Sequence, residues 1–466
     1  MKGLKIMIKP KKIVALASLI LALFLLIAST SHSAQKTPAK AERPSIFDPE
    51  SLKKGQYLGA ASCASSNCHG SVKPRNVYSV KQNEYFTWLK QDKHRTQAYM
   101  VLFNKKSAQI ARNMHINVEP YKSSICLDCH ALNVPKNAQA RPLDIEEAIS
   151  CEACHGPAGG WIARHTEDGA THKKSVEAGM TDMRNLVIRA EICLACHLGD
   201  SKKTVDHELI AAGHPQLIFE LDNYSQVMPA HWLPFTDKRK KQGLEETDGA
   251  RAWAVGQAVA FREGMLQLAR QARSEDWPEF SAMKCYACHH TLKFGAWRQR
   301  RGYKFKPGLP HWNPAQYAAL RQLVKTLAPD ERVRLDEQVE RLSAEIAKIN
   351  TPQEIVVKTA TGLAQTMNHV IPEIMQAKFN YALEIKLLRQ IANDVPYLIE
   401  GEVDTVGQAV LAINSLVSAT TSRNSALAKS GINKIVNNLY RDIQDPERFD
   451  RAQFAKHMAE LQRLLK

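Results

Sequence analysis

The ten cysteines of this chain fall into five short pairs, each closed by a histidine. Four pairs read C-x-x-C-H: Cys126-Leu-Asp-Cys129-His130, Cys151-Glu-Ala-Cys154-His155, Cys193-Leu-Ala-Cys196-His197 and Cys285-Tyr-Ala-Cys288-His289. The remaining pair is longer, Cys63-Ala-Ser-Ser-Asn-Cys68-His69. This pattern attaches haem c. The two thiols add to the vinyl groups of one porphyrin, and the adjacent imidazole ligates the iron from one face. A helical turn puts positions i, i+3 and i+4 on one side, so five residues reach one macrocycle at three points. Composition alone gives a chance expectation of roughly 0.008 such motifs, and four are present. Two other uses of cysteine compete. An oxidising compartment permits disulfides, but those would not exhaust ten cysteines in five short-range pairs. Zinc sites also use Cys and His, but zinc does not require a histidine directly after every second cysteine. The sequence therefore predicts five covalently attached haems c, with Cys63, Cys68, Cys126, Cys129, Cys151, Cys154, Cys193, Cys196, Cys285 and Cys288 as anchors.

The proximal ligands are then His69, His130, His155, His197 and His289. Of the 17 histidines, eleven others lie beyond residue 34, enough to fill every second axial position. A bis-His haem is saturated, low in potential, and moves electrons without binding substrate. His94, His165, His207 and His214 are the first candidates, with His115 next and His172 beside it. His207 and His214 are seven apart, which places them on one face if the stretch is helical. Gly213 and Pro215 argue that the helix ends there. His231 and His290 read as partners that orient a ligand or bind a propionate, and His369 and His457 as ordinary side chains. Met100, Met114, Met180, Met183 and Met228 could also ligate iron, but methionine in such a chain is more often packing.

Lys+Arg number 63 against 47 acids, a net charge of +16. Such an excess invites a nucleic-acid reading, but the first residues point to another compartment. Residues 2–12 carry five lysines and no acid, and Ile13 to Ala28 is an apolar run interrupted only by Ser18. Small polar residues follow to Ala34. That order reads as an export signal over 1–34, with an uncleaved membrane anchor as the alternative; the apolar run is short of the about 20 residues a spanning helix needs. Without these residues the charge is +11, which the ten propionates of five haems would nearly cancel. The expected location is the periplasm, with redox partner proteins and no nucleic acid.

At these motifs the sequence resembles the multihaem cytochromes of the cytochrome c-554/c-prime type, over roughly Gly59 to His290. The residues that carry the resemblance are Tyr57-Leu-Gly-Ala-Ala-Ser-Cys63, Cys151-Glu-Ala-Cys-His-Gly-Pro157 with His165, and Ala212-Gly-His-Pro215 leading to Phe219-Glu220-Leu221. The resemblance implies periplasmic electron transfer through closely stacked haems in a mostly helical fold. It also implies kinship with enzymes of hydroxylamine, nitrite and tetrathionate chemistry. Five sites, a lengthened first site and a long C-terminal extension depart from the tetrahaem members.

The elements that must position these residues divide the chain. Residues 35–55 are polar, contain Pro38, Pro44 and Pro49, and read as a linker. Residues 56–300 hold every haem site in a loop-rich, mainly α domain in which haem forms much of the core. Arg251 to Arg273 reads as an amphipathic helix leading into the fifth site. Pro307, Gly308, Pro310 and Pro314 mark a boundary, and residues 301–466 have no cysteine. There Leu335, Val339, Leu342 and Ile346, and again Phe454, Met458, Leu461 and Leu465, step by four, three and four. Pro329-Asp-Glu and Asp450 are helix-start signals. Further runs near 353–376, 378–393, 403–420 and 424–441 predict an antiparallel helical bundle. It carries no catalytic motif and reads as a packing, docking or dimerisation module, or as a tether to a membrane-associated complex. The function expected is single-electron relay between partner proteins. The rival is a multihaem oxidoreductase with one five-coordinate haem acting on a small nitrogen or sulfur compound. Against the rival, no C-x-x-C-K site is present.

Overall fold

The computed structural model of the protein describes residues 55–75, 80–232, 249–289, 309–348, 350–400 and 402–466. The export signal, nearly all of the linker, His290 and the boundary at residues 300–301 lie outside the described residues. Within them the chain is mainly α: helices joined by turns, with isolated bridges as the only β pairing. No described helix is long and apolar enough to cross a membrane.

Two textures follow each other along the chain. Up to residue 232 the helices are short, and side-chain oxygens start many of them. Asp92, Asn104, Thr171, Asn185, Asp206 and Glu220 each accept a first-turn backbone N–H. Such caps satisfy donors that a helix cannot pair internally. From residue 249 the helices lengthen. Pro329 opens Pro329–Ile346 with Asp330 and Glu331 behind it, and the Asp450 side chain caps Arg451–Leu464. Both expected stripes, Leu335 to Ile346 and Phe454 to Leu465, are buried. The expected runs become Gln353–Gln376, Tyr381–Ala392 and Glu402–Arg423. The run near 424–441 is broken into Ser425–Lys429 and Ile432–Asp442 by Gly431, whose φ of 85° lies in the left-handed region that favours glycine.

The helix Gly249–Gln271 departs from the sequence reading. It is not amphipathic: Ala250, Ala252 to Phe261, Met265 and Gln267 to Ala269 are all buried. Its neighbours surround it. Gln353–Gln376 packs along it, Leu186–His197 and Leu221–Val227 touch it from the haem-motif segment, and Tyr317–Leu327 and Glu402–Arg423 touch it from the C-terminal helices. A helix enclosed on all sides is apolar all round. One continuous hydrophobic cluster therefore runs from Leu186, Leu194 and Phe219 through this helix to Met458 and Leu465. Phe261 sits at its centre, fully buried, 5.5 Å from the Tyr317 ring and 6.4 Å from that of Trp312. Replacing Phe261 with Ala is expected to cost about 3–5 kcal/mol. Chemical denaturation of the purified protein would read it, and a loss below about 1 kcal/mol would contradict this placement of the core.

Candidate haem sites

The attachment motifs sit on short helices. Cys151–His155 is one motif and nothing more; Ser124–His130 and Leu186–His197 both end on their histidine; Cys285–Cys288 opens the last site. In that last site the His289 N–H donates to the Cys285 carbonyl at 2.8 Å, four residues back. In the lengthened first site the His69 N–H donates to the Cys63 carbonyl at 3.2 Å, six residues back. The two extra residues are absorbed by a turn in which Cys68 and Gly70 both donate to the Ser65 carbonyl. The first-cysteine-to-histidine closure is therefore the same in both. Gly156, after His155, has φ 78°, and a Cβ there would lie 2.7 Å from the Thr181 hydroxyl. That close approach lets Thr181 N–H cap the His155 carbonyl at 2.9 Å.

Each proximal imidazole faces a second one. Ring centroids are 6.3 Å apart for His69 and His165, 6.4 Å for His130 and His214, and 6.4 Å for His155 and His231. They are 6.3 Å apart for His197 and His94 and for His289 and His207. An imidazole–metal bond is about 2 Å long and the nitrogen lies about 1.1 Å from its ring centroid, so two imidazoles on one metal put their centroids about 6.3 Å apart. All five pairs have that spacing. Among the described residues no group of three or more His, Cys, Asp or Glu could hold a metal. Opposed pairs suit an ion whose remaining ligands come from a macrocycle between the rings, so the residues present fit haem c.

The ring nitrogens are sorted in the same sense. Nδ1 of His69 meets Glu84 at 3.0 Å, and Nδ1 of His94 meets Asp92 at 3.1 Å. Nδ1 of His130, His165, His214 and His231 meets the carbonyls of Ala98, Ile162, Pro215 and Pro229, at 2.6, 2.5, 2.8 and 3.4 Å. Carbonyls and carboxylates only accept, so each Nδ1 carries the proton and each Nε2 lone pair is left for a metal. Burial, then the neighbouring His231, holds His155 down to about 4, and burial with His94 opposite does the same for His197. Hydrogen bonds to Glu84 and Asp92 raise His69 and His94. Burial pushes Glu84 and Asp92 up, but bonds from those imidazoles and from backbone N–H groups outweigh it, leaving both below the ordinary carboxylate range.

Four of the expected distal residues, His94, His165, His207 and His214, are thus placed opposite a proximal ring. His207 and His214 do not share a face. The helix His207–Ala211 stops, Gly213 takes φ 118°, and the two histidines turn to different sites. His115 is a correction: it is exposed, with φ 54° on the turn after Lys105–Asn113, and no imidazole faces it among the described residues. His231, read from the sequence as an orienting group, takes the fifth place. The sequence signal for it is no more than the stretch Pro229-Ala-His231-Trp232. His172 gives its Nε2 to Asp182 at 2.8 Å, and His457 bonds Asp442.

Residues 53–156 match the family described as cytochrome c554 and c-prime. Over that span the chain is similar to cytochromes of this type. The match takes in the first three attachment motifs and His94. Comparison with curated proteins and with solved structures gives no match.

Near this segment the first and third sites are joined by a carboxylate that the sequence pattern does not single out. Glu152, inside the third motif and 2% exposed, accepts the N–H groups of Leu58 (2.9 Å), Gly59 (2.7 Å) and Ala158 (2.7 Å). Glu147 accepts Ala60 N–H at 2.9 Å. The loop before the first motif is thereby fixed to the third. The Cys63 and Cys151 thiols are close enough to shift each other's ionisation, as are those of Cys129 and Cys196. Cys154 lies within electrostatic reach of Cys193 and Cys196. The Cys285 thiol reaches the Gln216 amide oxygen at 4.0 Å, two residues from His214.

Two outcomes follow. Parallel imidazole planes split the iron d-orbitals that share their π-systems, whereas perpendicular planes leave them nearly degenerate. The planes are 5° apart at the first site, 33° at the fifth, and 79°, 81° and 83° at the second, third and fourth. The oxidised protein should therefore give three large-g low-spin EPR features and two rhombic ones; five of one kind would contradict the ring orientations. Glu152→Ala would orphan three backbone donors at about 1–3 kcal/mol each, and a thermal melt unchanged from wild type would refute the role given to Glu152.

Proposed function

We propose that the protein is a periplasmic cytochrome carrying five haems c, which relays single electrons between redox partner proteins. The observation that carries this reading is the second imidazole facing every proximal one at the spacing of a shared metal. Haem c at these positions supplies an iron that alternates between two oxidation states. The chain's part is to ligate from both faces, fix the tautomers and keep the anchors close.

The proximity of the anchors supports a serial order. Thiols of sites one and three, of three and four, and of four and two lie within electrostatic reach of each other, and site five reaches the loop that bears His214. The order along the chain of sites is then one, three, four, two, five, with the first and fifth as its ends. Among the described residues the fully buried apolar cluster around the second site is Tyr99, Leu102, Leu127, Ala131 and Ala148, and around the first and third it is Leu58, Ala158, Trp161 and Ile162. Clusters this small are supplemented by the apolar area of the rings themselves.

Mass spectrometry of the mature protein should find five haems, falling to four in the double variant Cys285→Ser, Cys288→Ser. Low-temperature EPR of the oxidised protein should show low-spin iron only. A stoichiometric high-spin signal would mean an open axial position, and the relay reading would give way to that of an oxidoreductase acting on small nitrogen or sulfur compounds.

A further inference from the structure

The Nδ1 partners of the ten facing imidazoles are not equivalent. At the first site His69 bonds the Glu84 carboxylate, whose side chain is 13% exposed, and at the fourth His94 bonds Asp92, 5% exposed. At the second site both imidazoles bond backbone carbonyls, and at the third His231 does the same. Both carboxylates are built into place. Glu84 Oε1 accepts the Lys81 and Gln82 N–H groups at 2.6 and 3.1 Å, which turns Oε2 towards His69. Asp92 caps the turn Lys93–Thr96, taking His94 N–H and His94 Nδ1 on the same oxygen. Among the described residues no lysine or arginine pairs with either. A carboxylate on the far nitrogen makes the near nitrogen a stronger donor and leaves a negative charge one ring away from the metal. Both effects favour the ferric over the ferrous ion, and in a partly buried place neither is screened as it would be in water.

We propose that Glu84 and Asp92 are positioning residues that set the first and fourth haems at lower reduction potentials than the second and third. The proposal rests on the five-haem reading above. It gives the serial order an uneven profile, with a carboxylate-biased site at one end and another in the middle.

The test is an EPR-monitored redox titration of the full, haem-loaded protein as wild type, Glu84→Gln, Asp92→Asn and Glu84→Asp. The amides keep an acceptor for the backbone donors and remove the charge. The rings of site one, 5° apart against 33° at site five, mark it by the more rhombic of the two rhombic signals, and the near-perpendicular rings of site four give a large-g one. Glu84→Gln should move the first alone, and Asp92→Asn one large-g feature alone. Each reduction equilibrium should shift at least tenfold towards the ferrous form, which for one electron is about 59 mV. Glu84→Asp, which keeps the charge, should recover most of the shift. Glu119→Gln, an exposed acid away from the ligands, should move nothing. The proposal is overturned if the amide variants leave every potential in place, as Glu119→Gln should, or if they move all haems alike. If a variant does not mature, the wild-type titration still decides: the rhombic signal of site one must convert below the large-g signals of sites two and three. A haem count other than five would instead bring down the reading on which this rests.

Discussion

Everything in residues 55–289 answers one constraint: an imidazole must be held opposite another at the distance that a single metal spans. The covalent motifs fix only one ring of each pair. The other ring comes from far along the chain, and short capped helices and glycine turns aim it. His94 sits on a turn capped by Asp92 and tied to the third motif by the bond from Ile149 N–H to the His94 carbonyl. His214 stands just past Gly213, whose positive φ ends one helix and starts a different direction. His231 is held by the Pro229 carbonyl and by a loop that Lys81 reaches through Ala230. Each device costs little by itself. At the first three sites they order the rings with only small apolar clusters beneath them.

The acids do more than balance charge. Glu152 gives both oxygens to backbone donors in the loop before the first motif and after its own. Burial pushes its carboxyl up, and the three backbone bonds pull against that. The result ties two attachment sites whose cysteines, Cys63 and Cys151, are 88 positions apart in sequence yet close enough to shift each other's ionisation. Glu84 and Asp92 use the same chemistry on imidazoles. Carboxylates in this segment thus set both where the anchors are and what the ligands donate.

The cysteines were legible in the sequence because attachment chemistry demands a local pattern. So were the C-terminal stripes, since burial against neighbours repeats every helical turn. Distal ligands obey no local pattern. His115 and His231 look alike in composition, and only the tertiary fold sends one to solvent and the other to His155. The helix Gly249–Gln271 was misread for a related reason. Its Arg262 pairs with Glu191 and Glu263, and its alanine-rich surface is closed by helices from later in the chain, which no local pattern shows. The Nδ1 partners of the ligands were invisible for the same cause, since most are backbone carbonyls.

The C-terminal helices find a role in what they brace. Lys284, one residue before Cys285, donates its N–H to the His311 carbonyl at 2.7 Å, and Asn313 N–H donates to Ala282 at 3.0 Å. Met283 bridges Trp312, and Trp312 packs on Phe261. The Leu221–Val227 helix, which places Tyr224 5.2 Å from the His197 ring, begins at Glu220. Glu220 is buried, pushed up to about 7 by that burial, and bonds Ser415 at 3.3 Å. Asn223 bonds Ser415 and Asn414, and Tyr440 reaches Asn223. The fourth and fifth sites are therefore backed by helices without cysteine, while the first three are held by their own loops and by Glu152. A fifth site at the end of the series lacks a following motif to lean on, and the helical extension supplies that wall.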